Sequence, residues 1–455
     1  MSMATLGTLA SMAGGQIDKI SAEVCVSGVG TDTRADLSGQ LFVALRGPTF
    51  DGHDHLASAF AAGAAAAMVE QGVEGPVGLP LVQVADSRMA LMLMAGAWRA
   101  SLPNLQVIAI TGTAGKTSTK DMLAHVCRKA MPTVASPRSF NNDIGVPLTI
   151  LAARSSDRVL VAEVGTSAPG EIAALAAVLQ PDIAIVTLVG HGHLEGLGSL
   201  DEVAREKYDL LRVLKPGGRG FVRHQTWALP QNEAFIETFG PELQADHVMT
   251  ARGPGWMEVS GVRWEIGLPG AHGAVNSLAA ILCARLMGIE DAVIADGLAS
   301  SQASPHRMQI RAIGGLTVID DTWNANPESM VSTLETMAEL VPADGRLVVV
   351  LGDMLELGPQ SALLHRGLAA SLVCLAQVAP LARVVLVGVE MGSLAEELGT
   401  GLPGVLIVHE PRSDAACMQR IAGQLASGDT VLLKASRGIA LERVAILLEA
   451  EAAGH

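Results

Sequence analysis

The chain has 455 residues, room for about three domains, and its 49% apolar and 17% charged content excludes global disorder. A formal charge of −15 excludes a general nucleic-acid or membrane-surface binder, which presents a basic face. Cysteines 25, 127, 283, 374 and 417 form no C-x-x-C pair and no zinc spacing, so reduced thiols in a cytoplasmic protein are expected. No basic-then-apolar leader opens the N-terminus, and no uncharged apolar run reaches the ~18 residues of a spanning helix, so neither export nor membrane insertion is expected.

In the first hundred residues, short apolar runs alternate with alanine-rich ones. Leu41–Leu45 and Leu81–Val84 predict strands; Leu56–Ala62 and Met89–Arg99 predict helices. Pro103-Asn104 marks a boundary. From Leu105 the pattern is β-α repeated, with strands at Val107–Ile110, Val159–Val164 and Ile183–Val189, each followed by a glycine-bearing loop and a helix. Runs this apolar predict a parallel sheet covered on both faces, whose ligands collect at the carboxyl ends of its strands. A third unit begins near Arg311, with strands at Thr317–Ile319, Leu347–Leu351, Val384–Val387, Val405–Val408 and Thr430–Leu433. The expected fold is α/β in three domains, 1–104, 105–310 and 311–455.

The chemistry concentrates at the carboxyl end of Val107–Ile110. Gly112-Thr113-Ala114-Gly115-Lys116-Thr117-Ser118 joins that strand to a helix carrying Met122, Leu123, Val126 and Cys127 at helical spacing. Such a turn delivers backbone N–H groups and a helix N-terminus to phosphates, an ammonium to their outer oxygens and a hydroxyl to magnesium. The longer phosphate-loop pattern wants glycine where Ile110 stands, so the match is to a shorter G-x-x-G-K-T. Glu163 ends an apolar strand beside this loop and is a natural magnesium ligand. Gly190-His191-Gly192-His193-Leu194-Glu195 follows another such strand; its histidines suit either a site or solvated surface.

Ser199 and Glu202 form a capping-box pattern opening a helix over Leu200–Leu214, which Pro216-Gly217-Gly218 stops. Lys207 lies on its apolar face with Leu200, Val203, Leu211 and Leu214. A lysine there either snorkels or pairs with a carboxylate, or it loses its proton through desolvation and reacts with carbon dioxide to form an anionic carbamate able to hold magnesium. In Asp320-Asp321-Thr322-Trp323-Asn324-Ala325-Asn326-Pro327, Asn326 can cap a helix that Pro327 opens. Asp321, Trp323 and Asn324 are left over for a ribose or base.

Taken together, GTAGKTS, NNDIGVP, AEVGTSAPGEI, GHLEGLGSLDEVAREKYDLL, DDTWNANPESM, LGDMLELG and LLKASRGIALERV resemble the Mur ligases over essentially the whole chain. Within them, TDTRADLSGQLFVALRGPTFDGHDHL and LGDMLELG are most similar to the branch joining D-Ala-D-Ala to UDP-N-acetylmuramoyl-tripeptide.

The resemblance implies an N-terminal UDP-binding domain, a central phosphate-loop ATPase-like domain and a C-terminal Rossmann-like domain. It implies an ATP-dependent ligation through an acyl phosphate, in a monomeric cytoplasmic enzyme. Lys116, Glu163, His193 and Lys207 would be catalytic, with Thr117 and Glu163 on one magnesium ion and His193 with carbamylated Lys207 on another. Asn276, Arg307, Asp321 and Asn324 would join the loop on ATP. Thr33, Arg34, Asp51, His53, Asn141, Asn142, Thr166, Asp353, Ser436 and Arg437 would meet the substrates, with the Lys434–Arg437 segment facing the acceptor dipeptide or the closed domain junction. The chain departs from the pattern at Ala114, Gly273, Trp323, Ala435 and Arg223-His224-Gln225, which leaves a paralogue with another acceptor, or a non-catalytic nucleotide-gated binder, as the alternatives.

Overall fold

The computed structural model describes residues 2–231, 234–399 and 401–453. Its three main sheets follow one another along the chain. The first has four parallel strands, Val29–Gly30, Leu41–Val43, Ala66–Glu70 and Leu81–Val84. Ala66–Glu70 escaped the sequence reading because its alanines look helical.

The second sheet has nine strands. Seven run parallel in the spatial order Thr133–Ala135, Val159–Glu163, Gln106–Thr111, Ile183–Val186, Arg219–Arg223, Phe235–Gly240 and His247–Gly253. Trp256–Val259 and Val262–Glu265 extend it as an antiparallel edge the sequence did not announce. Alternation along its strands splits the core: Val107, Ala109, Leu160 and Ala162 face one layer, and Ile108, Ile110, Val159 and Val161 the other. The strand expected over Ile183–Val189 stops at Val186, because Thr187 Oγ1 turns to donate to the carbonyls of Thr111 and Ala114.

Helix Ser87–Ala100 ties the first unit to the second. Leu91, Met94 and Trp98 bury in the same core as Val146, Ile150 and Leu175 of helices Gly145–Ala152 and Glu171–Leu179. Trp98 Nε1 donates to the Ala153 carbonyl at 3.0 Å, and Arg99 reaches the Leu179 carbonyl and Asp182.

The third sheet has six strands, ordered Gln309–Ile313, Leu316–Asp321, Asp429–Lys434, Arg346–Gly352, Leu381–Val387 and Leu406–Glu410. All pairs are parallel except the first. Leu347, Val349 and Leu351 fill one layer, Val348 and Val350 the other. Among the described residues one segment, Gly358–Val378, is long and apolar enough by composition to cross a membrane. It is broken into short helices at Gly367 and Leu368, and Leu368, Leu372 and Leu375 pack into the third core.

Candidate active site

The phosphate loop runs from strand Gln106–Thr111 to helix Lys116–Ala130. Gly112 and Gly115 have φ of 144° and 86°, and a Cβ on Gly112 would lie 2.1 Å from Thr187 Oγ1. Only glycine fits there. Lys116 Nζ donates to the Gly112 carbonyl at 2.7 Å; burial lowers its pKa, and the Glu163 charge opposes that shift. Thr117 Oγ1 donates to Glu163 Oε2 at 2.7 Å, while Asn141 Nδ2 donates to Oε1 at 2.7 Å. A hydroxyl and a buried carboxylate, 1% exposed, are thus brought together as oxygen donors suited to a hard cation.

Lys207 sits on helix Leu200–Arg212 with no exposed surface, and among the described residues its Nζ has no hydrogen-bond partner. Desolvation first, and the nearby Lys116 charge second, push its pKa well below the ordinary lysine value. The expected capping box forms only by half: Ser199 Oγ accepts from Glu202 N at 3.3 Å, but the Glu202 carboxylate pairs with Arg205. Glu206, beside Lys207, went unread. It is 4% exposed and accepts from Gly170 N at 2.7 Å and Ile172 N at 2.9 Å. Glu171 accepts from Ser167 N and Ala168 N, so two carboxylates hold the Thr166–Ile172 loop. Val203 and Leu210 flank Glu206 at i−3 and i+4, the same signal that singles out Lys207. Lys120 shows it too, and its buried ammonium donates to the carbonyls of Ser136 and Arg138.

The histidine loop is held from two sides. Thr113 Oγ1 and Gly190 exchange hydrogen bonds of 3.0 and 3.1 Å, and the Gln225 amide brackets both backbone groups of Val189 at 2.8 Å. From the third unit, Glu328 Oε1 pairs with His191 Nδ1 at 2.6 Å, and Glu356 Oε2 with His193 Nδ1 at 2.5 Å. Lys116, Asn141, Asn142, Thr166 and His193 then line one cavity of about 340 Å³.

A second cleft is lined by Thr113, Ala114, Gly115, Ser118, Asn276, Arg307, Asp321 and Asn324, all expected on the nucleotide. Asp321 Oδ2 is already engaged by Lys434 Nζ at 2.5 Å and Thr333 Oγ1 at 2.9 Å. Lys434 therefore faces this cleft. Two guanidiniums lie over the Trp323 ring, Arg307 at 5.4 Å and Arg437 at 5.0 Å from its centre. His272, also unread, pairs through Nδ1 with Ser332 Oγ at 2.6 Å, and its buried Nε2 has no partner among the described residues. Burial, reinforced by the Lys434 charge, lowers its pKa to about 4. Protonation is thus easier in the unfolded chain, so this residue's effect is expected to be silent above its ordinary pKa of ~6.5 and to cost stability as pH falls from there toward about 4. Denaturant titrations of the protein and of His272→Asn at pH 7 and pH 5 check this: the gap between them should change in the variant's favour at pH 5.

The remaining expected residues divide. Asp353 and Ser436 hold each other: Ser436 N donates to the Asp353 carbonyl at 3.1 Å and Leu355 N to Ser436 Oγ at 2.9 Å. Burial raises the Asp353 pKa, although Met391 N donates to its carboxylate. Thr33 and Arg34 lie on the first unit, where Arg34 forks onto the Asp32 carboxylate. Asp51 caps the turn Gly52–His55 and accepts from His53, whose other ring nitrogen accepts from Glu70 N at 3.1 Å. These four line neither of the two cavities.

Family models cover the chain in order: "Mur ligase family, catalytic domain" at residues 25–95, "Mur ligase middle domain" at 110–284 and "Mur ligase, glutamate ligase domain" at 306–437. The UDP-N-acetylmuramoyl-tripeptide–D-alanyl-D-alanine ligase of Bacillus subtilis (strain 168) is 31% identical over 433 residues, 93% of each chain. Its namesake from Escherichia coli (strain K12) is 31% identical over 98% of each chain. The crystal structure of MurF from Acinetobacter baumannii superposes with a TM-score of 0.83 at 28% identity, covering 98% of this chain and 99% of that one. MurF ligase from Thermotoga maritima in complex with ADP gives 0.78 at 26% identity, covering 94% and 98%. Three family models in order along the chain and full-length relatives at 31% identity leave one conclusion: the chain belongs to the Mur ligase family.

Proposed function

We propose that this protein joins D-Ala-D-Ala to UDP-N-acetylmuramoyl-tripeptide, converting ATP to ADP and phosphate, in peptidoglycan precursor synthesis. The observation that carries the reading is the unpartnered amine of Lys207, buried near the phosphate-loop lysine, because a packed α/β protein without this chemistry gains nothing from it. Full-length relatives bearing that activity in their names support the choice of substrates.

In the proposed reaction a terminal carboxylate oxygen of the tripeptide attacks the γ-phosphorus of ATP, and ADP leaves. The amine of D-Ala-D-Ala then attacks the acyl carbon, phosphate leaves and a proton is lost as the amide forms. Two anions must meet first. A pair of unit charges at 4 Å repels by about 1 kcal/mol in water and about 4 kcal/mol at an effective dielectric of 20. Closing the site worsens this repulsion unless fixed cations accompany the substrates. Lys116 provides one at the loop. Magnesium ions would add charge, one held by Thr117 and Glu163, whose oxygens converge, and one by His193 and the carbamate of Lys207. Ala114, Gly115, Ser118, Asn276, Arg307, Asp321 and Asn324 would seat ATP in their cleft, and Asn141, Asn142 and Thr166 would seat the tripeptide end in the cavity beside Lys116. The third unit, already touching the histidine loop through Glu328 and Glu356, would keep water from the acyl phosphate. We take the division into 1–104, 105–310 and 311–455, with the second boundary moved ahead of strand Gln309–Ile313, and a monomer in the cytoplasm, as part of the same reading.

The test is ADP release from ATP and magnesium with UDP-N-acetylmuramoyl-tripeptide, with and without D-Ala-D-Ala. Sustained release is expected only with both. Its absence with both present would favour a paralogue with other substrates, and the departures at Gly273 and Ala435 are where to look first.

A further inference from the structure

The cavity beside Lys116 and His193 carries two carboxylates that the reaction does not use, and one of them, Glu171, is taken up by the Ser167 and Ala168 N–H groups. The other is Asp143, next after Asn141 and Asn142. Its Oδ2 accepts from Arg88 Nη1, which comes from the first unit, on the helix that also supplies Met92 to the cavity wall. The asparagines before Asp143 have half of each amide engaged, Asn141 Nδ2 on Glu163 and Asn142 Oδ1 under the N–H groups of Ile144 and Gly145, which leaves the other half for the tripeptide end. Among the described residues Asp143 and Arg88 are engaged only with each other, and both side chains are 42% exposed. A pair this open adds little to stability, of the order of 0–1 kcal/mol, and it leaves a free carboxylate oxygen and most of a guanidinium fork facing solvent.

Such a pair is complementary to a zwitterion. A ligand carrying an ammonium and a carboxylate on one carbon can place the first on Asp143 and the second bidentately on Arg88, exchanging one ion pair for two. A lone ammonium can satisfy Asp143 only, and it does so by displacing Arg88.

The proposed function puts the reacting carboxylate near Lys116, so the side chain of the tripeptide's last residue is the part of the substrate free to extend along this cavity. Resting on that reading, we infer that Arg88 and Asp143 select a tripeptide whose last side chain ends in an α-amino-acid zwitterion, as in diaminopimelate, over one ending in a single ammonium, as in lysine. The two residues read substrate and take no part in the chemistry.

The test compares kcat and KM for three tripeptides, ending in diaminopimelate, in diaminopimelate amidated at its distal carboxylate, and in lysine, with the protein and with Arg88→Gln, Arg88→Lys and Asp143→Asn. The diaminopimelate form should be favoured over lysine by about 10-fold or more in kcat/KM. Arg88→Gln should collapse that preference through KM, Arg88→Lys should restore part of it, and amidation should cost the protein far more than it costs Arg88→Gln. Equal use of the diaminopimelate and lysine forms by the protein, or equal losses on all three peptides in Arg88→Gln, would overturn the inference while leaving the ligase activity standing. Absence of ADP release with every peptide would instead overturn the proposed function, and this inference with it.

Discussion

Replacing Lys207 by alanine is expected to lower ADP formation by about 10³-fold, and short carboxylic acids added to that variant are expected to restore part of the rate. The reasoning starts from a cost. A lysine amine with no exposed surface and no hydrogen-bond partner carries an uncompensated desolvation penalty, about 1–3 kcal/mol for a neutral polar group. Desolvation lowers its pKa and so favours the neutral amine, the form that adds to carbon dioxide and then releases one proton. A short carboxylate diffusing into the space left by the side chain offers the same two oxygens. Lys207→Met separates the two sides of this account. With similar volume and no amine, it should be as inactive as the alanine variant, and in carbon-dioxide-free buffer it should unfold at a higher temperature than the parent, because the unpaired amine is gone. Full activity in either variant would remove the carbamate and leave the ligase reading resting on the phosphate loop and the full-length relatives alone.

Glu163→Gln is expected to lower kcat by about 10²–10³-fold and to raise the magnesium concentration needed for half-maximal rate, with a smaller effect on binding of magnesium-free ADP. The substitution is close to isosteric. One amide oxygen can still accept from Thr117, whose bond to Glu163 is 2.7 Å, but the amide nitrogen would face the Asn141 amide, which now donates to Oε1. Asn141→Ala in the same background should therefore recover stability without recovering rate. Activity and unfolding curves measured side by side distinguish a lost charge from a disturbed loop.

How far the chain could be read in advance depended on how local each signal was. The phosphate loop was legible because strand, glycine turn and helix are contiguous, and Gly112 and Gly115 do adopt the positive φ such a turn requires. Lys207 was legible because a charge on an apolar helical stripe is visible from spacing alone. Glu206 and Lys120 carried that signal as well and went unread, since an acid and a base next to good helix formers also describe an ordinary solvated face. The edge strands from His247 to Glu265 could not be foreseen from periodicity: they are short and partly exposed, and alternate imperfectly around a register shift between Met249 and Ala251. Contacts between units lay furthest out of reach. Nothing near His193 in sequence announces Glu356, 163 positions away, and nothing near Asp143 announces Arg88. Resemblance supplied roles for the motifs, whereas these partners required the folded chain.

The setting of Trp323 has an optical consequence. Of the five tryptophans, at 98, 227, 256, 264 and 323, it alone lines the cleft we propose for the nucleotide, and the Arg307 and Arg437 guanidiniums lie over its ring. Indole emission responds to nearby charge, and a nucleotide entering the cleft would meet Arg307, which lines it and lies 5.4 Å from the centre of this ring. Tryptophan emission should therefore shift on nucleotide addition and lose that response in Trp323→Phe, giving each turnover an intrinsic fluorescent signal with no label attached.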